Sequence, residues 1–268
     1  MRTIVHLSDL HFGRVDERIV GPLVERITAI RPDLIAVSGD LTQRARRRQF
    51  QQASAFLGRL PFPKVVVPGN HDVPLFNLAA RFIDPFGGYR RWIGPDLEPA
   101  YVDDEIAVIG LNSARALITG GRGRLNMEQI TAAAARLQIL PPAAVKVIVT
   151  HHPFDVPAGV PVEHLVGSAS MAMQHFAEAG ADLFLAGHLH VSHVGHTADR
   201  YNIAGHSALV VQAGTMSTRG RGELNTFNVL RIGRPEMAIE RYSWGTGSQG
   251  FDQSFAGTFR HTPEGWTA

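Results

Sequence analysis

The chain has no cysteine in its 268 residues. No disulfide framework can staple it, and any metal it holds must be bound through nitrogen or oxygen. A reducing compartment suits such a sequence, and a cytoplasmic location is the expectation. Excess charge of one sign is lacking too, since 26 Lys and Arg stand against 24 Asp and Glu for a formal net charge of +2. The isoelectric point near 9.3 therefore reflects a small arginine excess and not a basic tail. No block of Lys and Arg is long enough for a disordered nucleic-acid arm, so nucleic acid is disfavoured as a partner. Apolar runs of about 18 residues, long enough to span a bilayer, are missing. The first residues are strand-like, with no basic segment leading into an apolar one, and predict neither a secretory leader nor a membrane partner.

The 44% of hydrophobic residues allows a sizeable core. Apolar runs and helical patterns alternate along the first two thirds. Strands are predicted at 3–8, 34–38, 64–67, 106–111, 145–150 and 183–186, with helices at about 20–30, 43–58, from Asn126, and 168–179. Residues 74–100 read as an irregular excursion rich in Pro, Gly and aromatics. Phe82, Phe86, Tyr89 and Trp92 are expected to pack it, or to form the contact of a homo-oligomer. Residues 113–125 read as a long mobile loop. Short runs at 208–213, 226–232 and 237–243 suggest antiparallel strands. The fold class expected is α/β in four layers, two packed mixed sheets flanked by helices. No linker or internal repeat divides the chain. A single domain over 1–245 is expected, followed by a polar, Gly-rich tail at 246–268 lying on its surface as an arm.

Five of the apolar runs stop at clusters of Asp, Asn, His and Gly: SDLH at 8–11, GD at 39–40, GNHD at 69–72, HH at 151–152 and GHLH at 187–190. Ligand-type side chains at the ends of successive buried strands gather at one edge of a sheet. Asp9 with His11, and His188 with His190, are spaced i and i+2, which in extended backbone points both side chains one way. Taken alone, each cluster has an ordinary structural explanation: Gly39-Asp40 is a common turn, and a single buried His is usually a hydrogen-bonded core residue. Together and in this order they suit a dinuclear hydrolytic site.

The order of these blocks resembles the calcineurin-like metallophosphoesterase superfamily, with its D-x-H, G-D, G-N-H-[DE], H and G-H-x-H signature. SGDLT, VVPGNHD, THHPF and LAGHLH look most like the bacterial class III cyclic-nucleotide phosphodiesterase group. The resemblance implies that Asp9, His11 and His190 hold one ion, that Asn70, His151 and His188 hold a second, and that Asp40 bridges them. His151 is preferred to His152 as the first residue after its strand. Ions of the Mn, Fe or Zn type fit such a ligand set. A bridging hydroxide would attack phosphorus, with both ions neutralising the phosphoryl oxygens. The same resemblance gives His71 a proton or hydrogen bond for the leaving group. Asp72 either orients that imidazole or caps its own loop.

Other residues carry weaker expectations. Asn112 and Arg115 either flank the substrate pocket or do turn chemistry. Arg44, Arg47 and Arg48 share a face of the 43–58 helix and are read as solvated. Arg219 and Arg221 could reach substrate, although nothing in their spacing demands it. His6, His193, His196 and His206 are read as structural. No dense cationic clamp for a dianion is visible beside the motifs, which favours a small phosphodiester as substrate, in a pocket bounded by 74–100 and 113–125. A nuclease, a nucleotide pyrophosphatase and a non-catalytic scaffold are the competing readings. The scaffold is disfavoured because every ligand position is filled.

Overall fold

The computed structural model describes residues 1–117, 121–245 and 247–268. Thirteen strands are described: β1 Arg2–Leu7, β2 Leu34–Ser38, β3 Lys64–Val67, β4 Ala100–Val102, β5 Ile106–Gly110, β6 Val145–Val149, β7 Leu183–Ala186, β8 His193–His196, β9 Leu209–Gln212, β10 Thr226–Ile232, β11 Glu236–Gly245, β12 Gly250–Thr262 and β13 Gly265–Thr267. The helices are α1 Glu17–Ile30, α2 Arg47–Gly58, α3 Leu78–Ile83, α4 Gly87–Trp92, α5 Met127–Gln138 and α6 Ala169–Glu178.

These strands form two mixed sheets, one in the order β13-β12-β11-β10-β1-β2-β3 and the other β4-β5-β6-β7-β9-β8. Strands β1, β2 and β3 run parallel, as do β5, β6, β7 and β9. Strands buried on both faces read as continuous apolar runs, which is why LIAVS and VKVIV were legible as strands. Alternation then sorts their side chains. Ile4, Ala36, Val65, Val108, Val147 and Leu185 fill the space between the sheets. Val5, Val37 and Val66 face α1 and α2 on one outer side. Ile109, Ile148 and Phe184 face α5 and α6 on the other. The result is the four-layer arrangement expected, with helix, sheet, sheet and helix stacked in turn.

The C-terminal segment departs from the expected arm. Residues 250–262 pair with β11 along nearly its whole length, and 265–267 return against β12. β12 shows solvent most of its side chains, so its polar run FDQSFAGTFRHT gave no apolar alternation to read. Trp266 anchors the end. It is buried, and its Nε1 donates to Asp182 Oδ1 at 2.8 Å. Arg234 and the Lys146 backbone N–H also donate to the Asp182 carboxylate. The excursion at 74–100 contains α3 and α4. Phe86 and Tyr89 pack in the core, whereas Phe82 is 61% exposed. Part of the loop expected at 113–125 falls on 118–120, outside the described residues.

Candidate metal centre

The parallel strands end at one edge, and the turn after each places a polar side chain there. Asp9 follows β1, Asp40 follows β2, and Asn70 follows β3. From the facing sheet come His151 after β6, then His188 and His190 after β7. The i, i+2 pairs are not extended as their spacing suggested. Asp9, His11, Asp40, His188 and His190 all have positive φ, between 45° and 72°. Side chains in that left-handed region are uncommon outside Gly, Asn and Asp, and they persist only where surrounding contacts enforce them. Here the chain reverses so sharply after each strand that the ligand-type side chains fold back over the sheet edge. Gly39 and Gly69 permit the crowding. A Cβ on Gly39, at φ +88°, would stand 2.8 Å from His151 Nδ1, and one on Gly69 would collide with the Asp40 carboxylate.

Two groups of ligand-type atoms result. Asp9, His11, Asp40 and His190 converge in one, and His151, His152 and His188 in the other. Asp40 lies between them, its Oδ2 3.6 Å from His11 Nε2 and 3.5 Å from His151 Nε2. Asn70 Oδ1 stands 3.0 Å from His151 Nε2. His190 Nε2 is 3.2 Å from Asp9 Oδ1 and 3.0 Å from His11 Nε2. Asp9 Oδ1 is buried with no hydrogen bond of good geometry. Two imidazoles donate their far nitrogens to backbone carbonyls, His151 Nδ1 to Ser38 at 2.8 Å and His190 Nδ1 to Arg219 at 3.0 Å. That leaves Nε2 of each ring facing the centre, the usual outer support of a metal-ligating His. A cluster of inward-facing imidazole nitrogens with a stranded carboxylate oxygen and no sulfur fits hard or borderline cations.

His152 belongs to the second group by distance, but both its ring nitrogens have other partners. Its Nδ1 meets the Ser113 hydroxyl at 2.8 Å and its Nε2 donates to the Gly121 carbonyl at 2.8 Å. Burial and the neighbouring His188 and His151 hold its pKa well below the ordinary value. Burial also works against the charged form of His151, yet the Asp40 carboxylate outweighs it and raises that ring to about 9 in the metal-free protein. His188 goes the other way, down to about 3, through burial and repulsion from His151. Burial would raise Asp40, but His151, His11 and His71 keep it ionised far below the usual carboxylate range.

His71 stands beside this centre, with Nε2 4.0 Å from Asp40 Oδ2. Its backbone N–H donates to Asp40 Oδ1 at 2.8 Å. Asp72 does not orient the ring. Its carboxylate accepts from the backbone N–H groups of Leu41, Thr42 and Gly69 and from the Thr42 hydroxyl. It ties the β2 and β3 turns together, which is the loop-capping role. Burial and the nearby Asp40 raise its pKa to about 6. What holds His71 is the Gln43 carbonyl, 2.9 Å from Nδ1, and two arginines that sequence reading had set aside. Arg44 Nη1 lies 3.1 Å from Nδ1, and Arg219 Nη1 lies 3.1 Å from Nε2. Arg44 precedes α2 and is not part of its solvated face, whereas Arg47 and Arg48 are exposed as expected.

A cavity of about 580 Å³ opens over the centre. Asp40, Asn70, His71, His188 and His190 form its floor, and Leu75, Leu78, Phe82 and Leu117 give it an apolar wall. Arg115 lines it, but its guanidinium donates to the Asn112 and Ala114 carbonyls and to Gln129. Asn112 is not on that wall. It does turn chemistry, with Oδ1 accepting from the Ala114 N–H. His164, passed over in the sequence, lines the cavity with its ring 5.7 Å from His188. No signal in its VEHL context could have singled it out. His6 is a core residue, 2.9 Å from the Ser38 hydroxyl, and burial lowers its pKa to about 3. His193 pairs with Asp155, and His196 with the Trp266 carbonyl, both away from the centre.

The model of the calcineurin-like phosphoesterase family matches residues 2–192. The chain is 32% identical over 80 residues to a glycerophosphodiester phosphodiesterase from Enterobacter lignolyticus, a match covering 26% of this chain and only 29% of that relative. Among solved structures, a dimetal phosphatase from Danio rerio superposes with a TM-score of 0.69 at 13% identity, covering 97% of this chain and 99% of its own. A purple acid phosphatase from yellow lupin seeds gives a TM-score of 0.72 at 12% identity, covering 96% of this chain and 53% of its own. At those identities the two structures speak for the fold.

Proposed function

The chain belongs to the calcineurin-like phosphoesterase family, and from that premise we propose that it is a dinuclear metal-dependent hydrolase of small phosphodiesters. Asp9, His11 and His190 would hold one ion, Asn70, His151 and His188 the other, and Asp40 would bridge them. The observation that carries this reading is the position of Asp40 Oδ2, 3.6 Å from a nitrogen of the first group and 3.5 Å from a nitrogen of the second. Nitrogen and oxygen ligands suit ions of the Mn, Fe or Zn type and do not choose among them. Bound, such ions supply Lewis-acid neutralisation of phosphoryl charge and lower the pKa of a water.

The chain's own residues do the rest. The His151 and His190 hydrogen bonds to Ser38 and Arg219 hold the ligand rings in register. His71 is placed to exchange a proton or hydrogen bond with the leaving oxygen. With Nδ1–H donating to the Gln43 carbonyl, Nε2 is left to accept from Arg219, while Arg44 donates to that same Gln43 carbonyl beside the ring. The diester assignment is supported by the partial match to a phosphodiesterase and by a cavity roomy enough for a second substituent. The expected lack of a cationic clamp no longer supports it, because arginines line that cavity; the clamp favours a monoester as the second reading. A cysteine-free chain suits action in a reducing cytoplasm.

The test is a screen of protein reconstituted separately with Mn, Zn and Fe. Bis-(p-nitrophenyl) phosphate, p-nitrophenyl phosphate, cyclic AMP, a glycerophosphodiester and single-stranded DNA would be compared. A diester is expected to give the highest kcat/KM. A monoester winning by a wide margin overturns the substrate class.

A further inference from the structure

Between residues 75 and 83 the chain exposes Leu75, Phe76, Leu78, Phe82 and Ile83. Single exposed apolar residues are ordinary, but a cluster of them marks a surface that something covers. Helix α3, which carries three of them, has no buried residue, so the core does not account for it. A helix of six residues has little stability of its own and depends on what its apolar face meets. Leu78 and Phe82, at i and i+4, share one face. Both line the cavity over the metal centre, together with Leu75 and the exposed Leu117. The segment's polar side chains are used within it: Asn77 Oδ1 accepts from the Ala80 N–H, and Arg81 donates to the Pro74 carbonyl. What 75–83 adds to the cavity is therefore mainly apolar surface. The floor of the same cavity is polar, formed by Asp40, Asn70, His71, His188 and His190. Arg44 joins the two regions. Its Nη1 lies 3.1 Å from His71 Nδ1, and its guanidinium carbon lies 6.0 Å from the centre of the Phe76 ring. The apolar segment thus begins one side chain away from the residue placed at the leaving oxygen. A ligand complementary to this cavity is anionic at one end and apolar at the other.

We propose that the substrate is an amphiphilic phosphodiester, with its phosphate over the metal centre and its second substituent an alkyl or acyl tail lying along Leu75, Leu78 and Phe82. This rests on the hydrolase reading above and names its substrate class. Each methylene moved from water onto that wall is worth about two- to fourfold in binding, the lower figure where the wall is half open. The tail lies away from the reacting bond, so ground state and transition state gain alike. The effect therefore falls on KM and not on kcat.

The test has two arms. In the first, metal-loaded enzyme is given p-nitrophenyl diesters whose second alcohol is methyl, butyl or octyl, all below the micellar concentration. Each releases p-nitrophenolate and an alkyl phosphate. From methyl to octyl, kcat/KM should climb by about tenfold or more, through KM. Leu78→Gln and Phe82→Gln should cut the octyl-to-methyl ratio severalfold, whereas Phe82→Leu retains it. These side chains are exposed, so the variants keep the fold. In the second arm, metal-free protein is titrated calorimetrically with methylphosphonate and octylphosphonate at several temperatures. The octyl ligand should bind about tenfold or more tightly. Its heat-capacity change should be the more negative, as apolar burial requires, and Leu78→Gln should shrink both differences. Indifference to chain length in both arms, or a preference untouched by Leu78→Gln and Phe82→Gln, overturns the inference and leaves the hydrolase reading standing. So does a p-nitrophenyl nucleoside diester that outruns the octyl ester. A dimer that Ile83→Asp dissociates, with no effect of chain length, gives the apolar face to a second copy and overturns it too. Absence of turnover on every diester counts against the diester reading alone, and the calorimetric arm then decides the tail site by itself.

Discussion

At the scale of single residues, position in the hydrogen-bond network separates ligands from look-alikes. His151 and His152 are adjacent and buried, yet His151 turns its Nε2 toward Asp40 and Asn70 while the His152 Nε2 donates to the Gly121 carbonyl. His151→Ala should thus lower metal content and abolish turnover. His152→Ala should retain metal but destabilise the fold by about 1–3 kcal/mol, because Ser113 and the Gly121 carbonyl lose their partner. Metal analysis beside urea unfolding distinguishes them, and a metal-loaded His151→Ala protein would refute the assignment. His71→Ala should keep its ions and lose roughly 10²–10⁴ in rate on a poor leaving group. With p-nitrophenolate leaving, which needs little protonation, the loss should be smaller. An equal loss on both substrates would make His71 a phosphate-positioning residue. That the motif Asp and His side chains gather was legible because their types and order are unusual. Arg44 and Arg219 were not, because they meet His71 across 27 and 148 residues of sequence and nothing local marks them.

At the scale of elements, the parallel strands were legible as apolar runs, and their common edge followed from topology. The left-handed turns that aim Asp9, His11, His188 and His190 were not, since spacing alone suggested extended backbone. The hairpin of β12 and β13 was missed because an exposed edge strand leaves a polar sequence with little alternation. Its energetic weight is checkable. Trp266→Ala removes a buried ring and the indole donor to Asp182, and should cost about 3–5 kcal/mol. Equilibrium denaturation should show a lower midpoint, with metal content of the folded protein unchanged, because Trp266 lies outside the centre. A loss under about 0.5 kcal/mol would restore the surface-arm reading.

At the scale of the whole molecule, metal binding, protonation and stability are linked. In the metal-free protein His151 titrates near 9 against an ordinary 6.5, so its pairing with Asp40 stabilises the fold fully below about pH 6.5 and is lost as pH rises through 9. The metal-free Tm should therefore fall between those values, with the metal-loaded Tm falling less. Metal must displace that proton, so calorimetry at pH 7.5 in buffers of different ionisation enthalpy should show proton release on binding. A binding heat independent of buffer would contradict a protonated His151.

The most direct test is an anomalous-scattering map from crystals grown with manganese. The account predicts two peaks roughly 3.5–4 Å apart, one on each side of the Asp40 carboxylate. The first should touch Asp9, His11 and His190, and the second Asn70, His151 and His188. A single peak, or a second ion coordinated by His152 instead of His151, would contradict it.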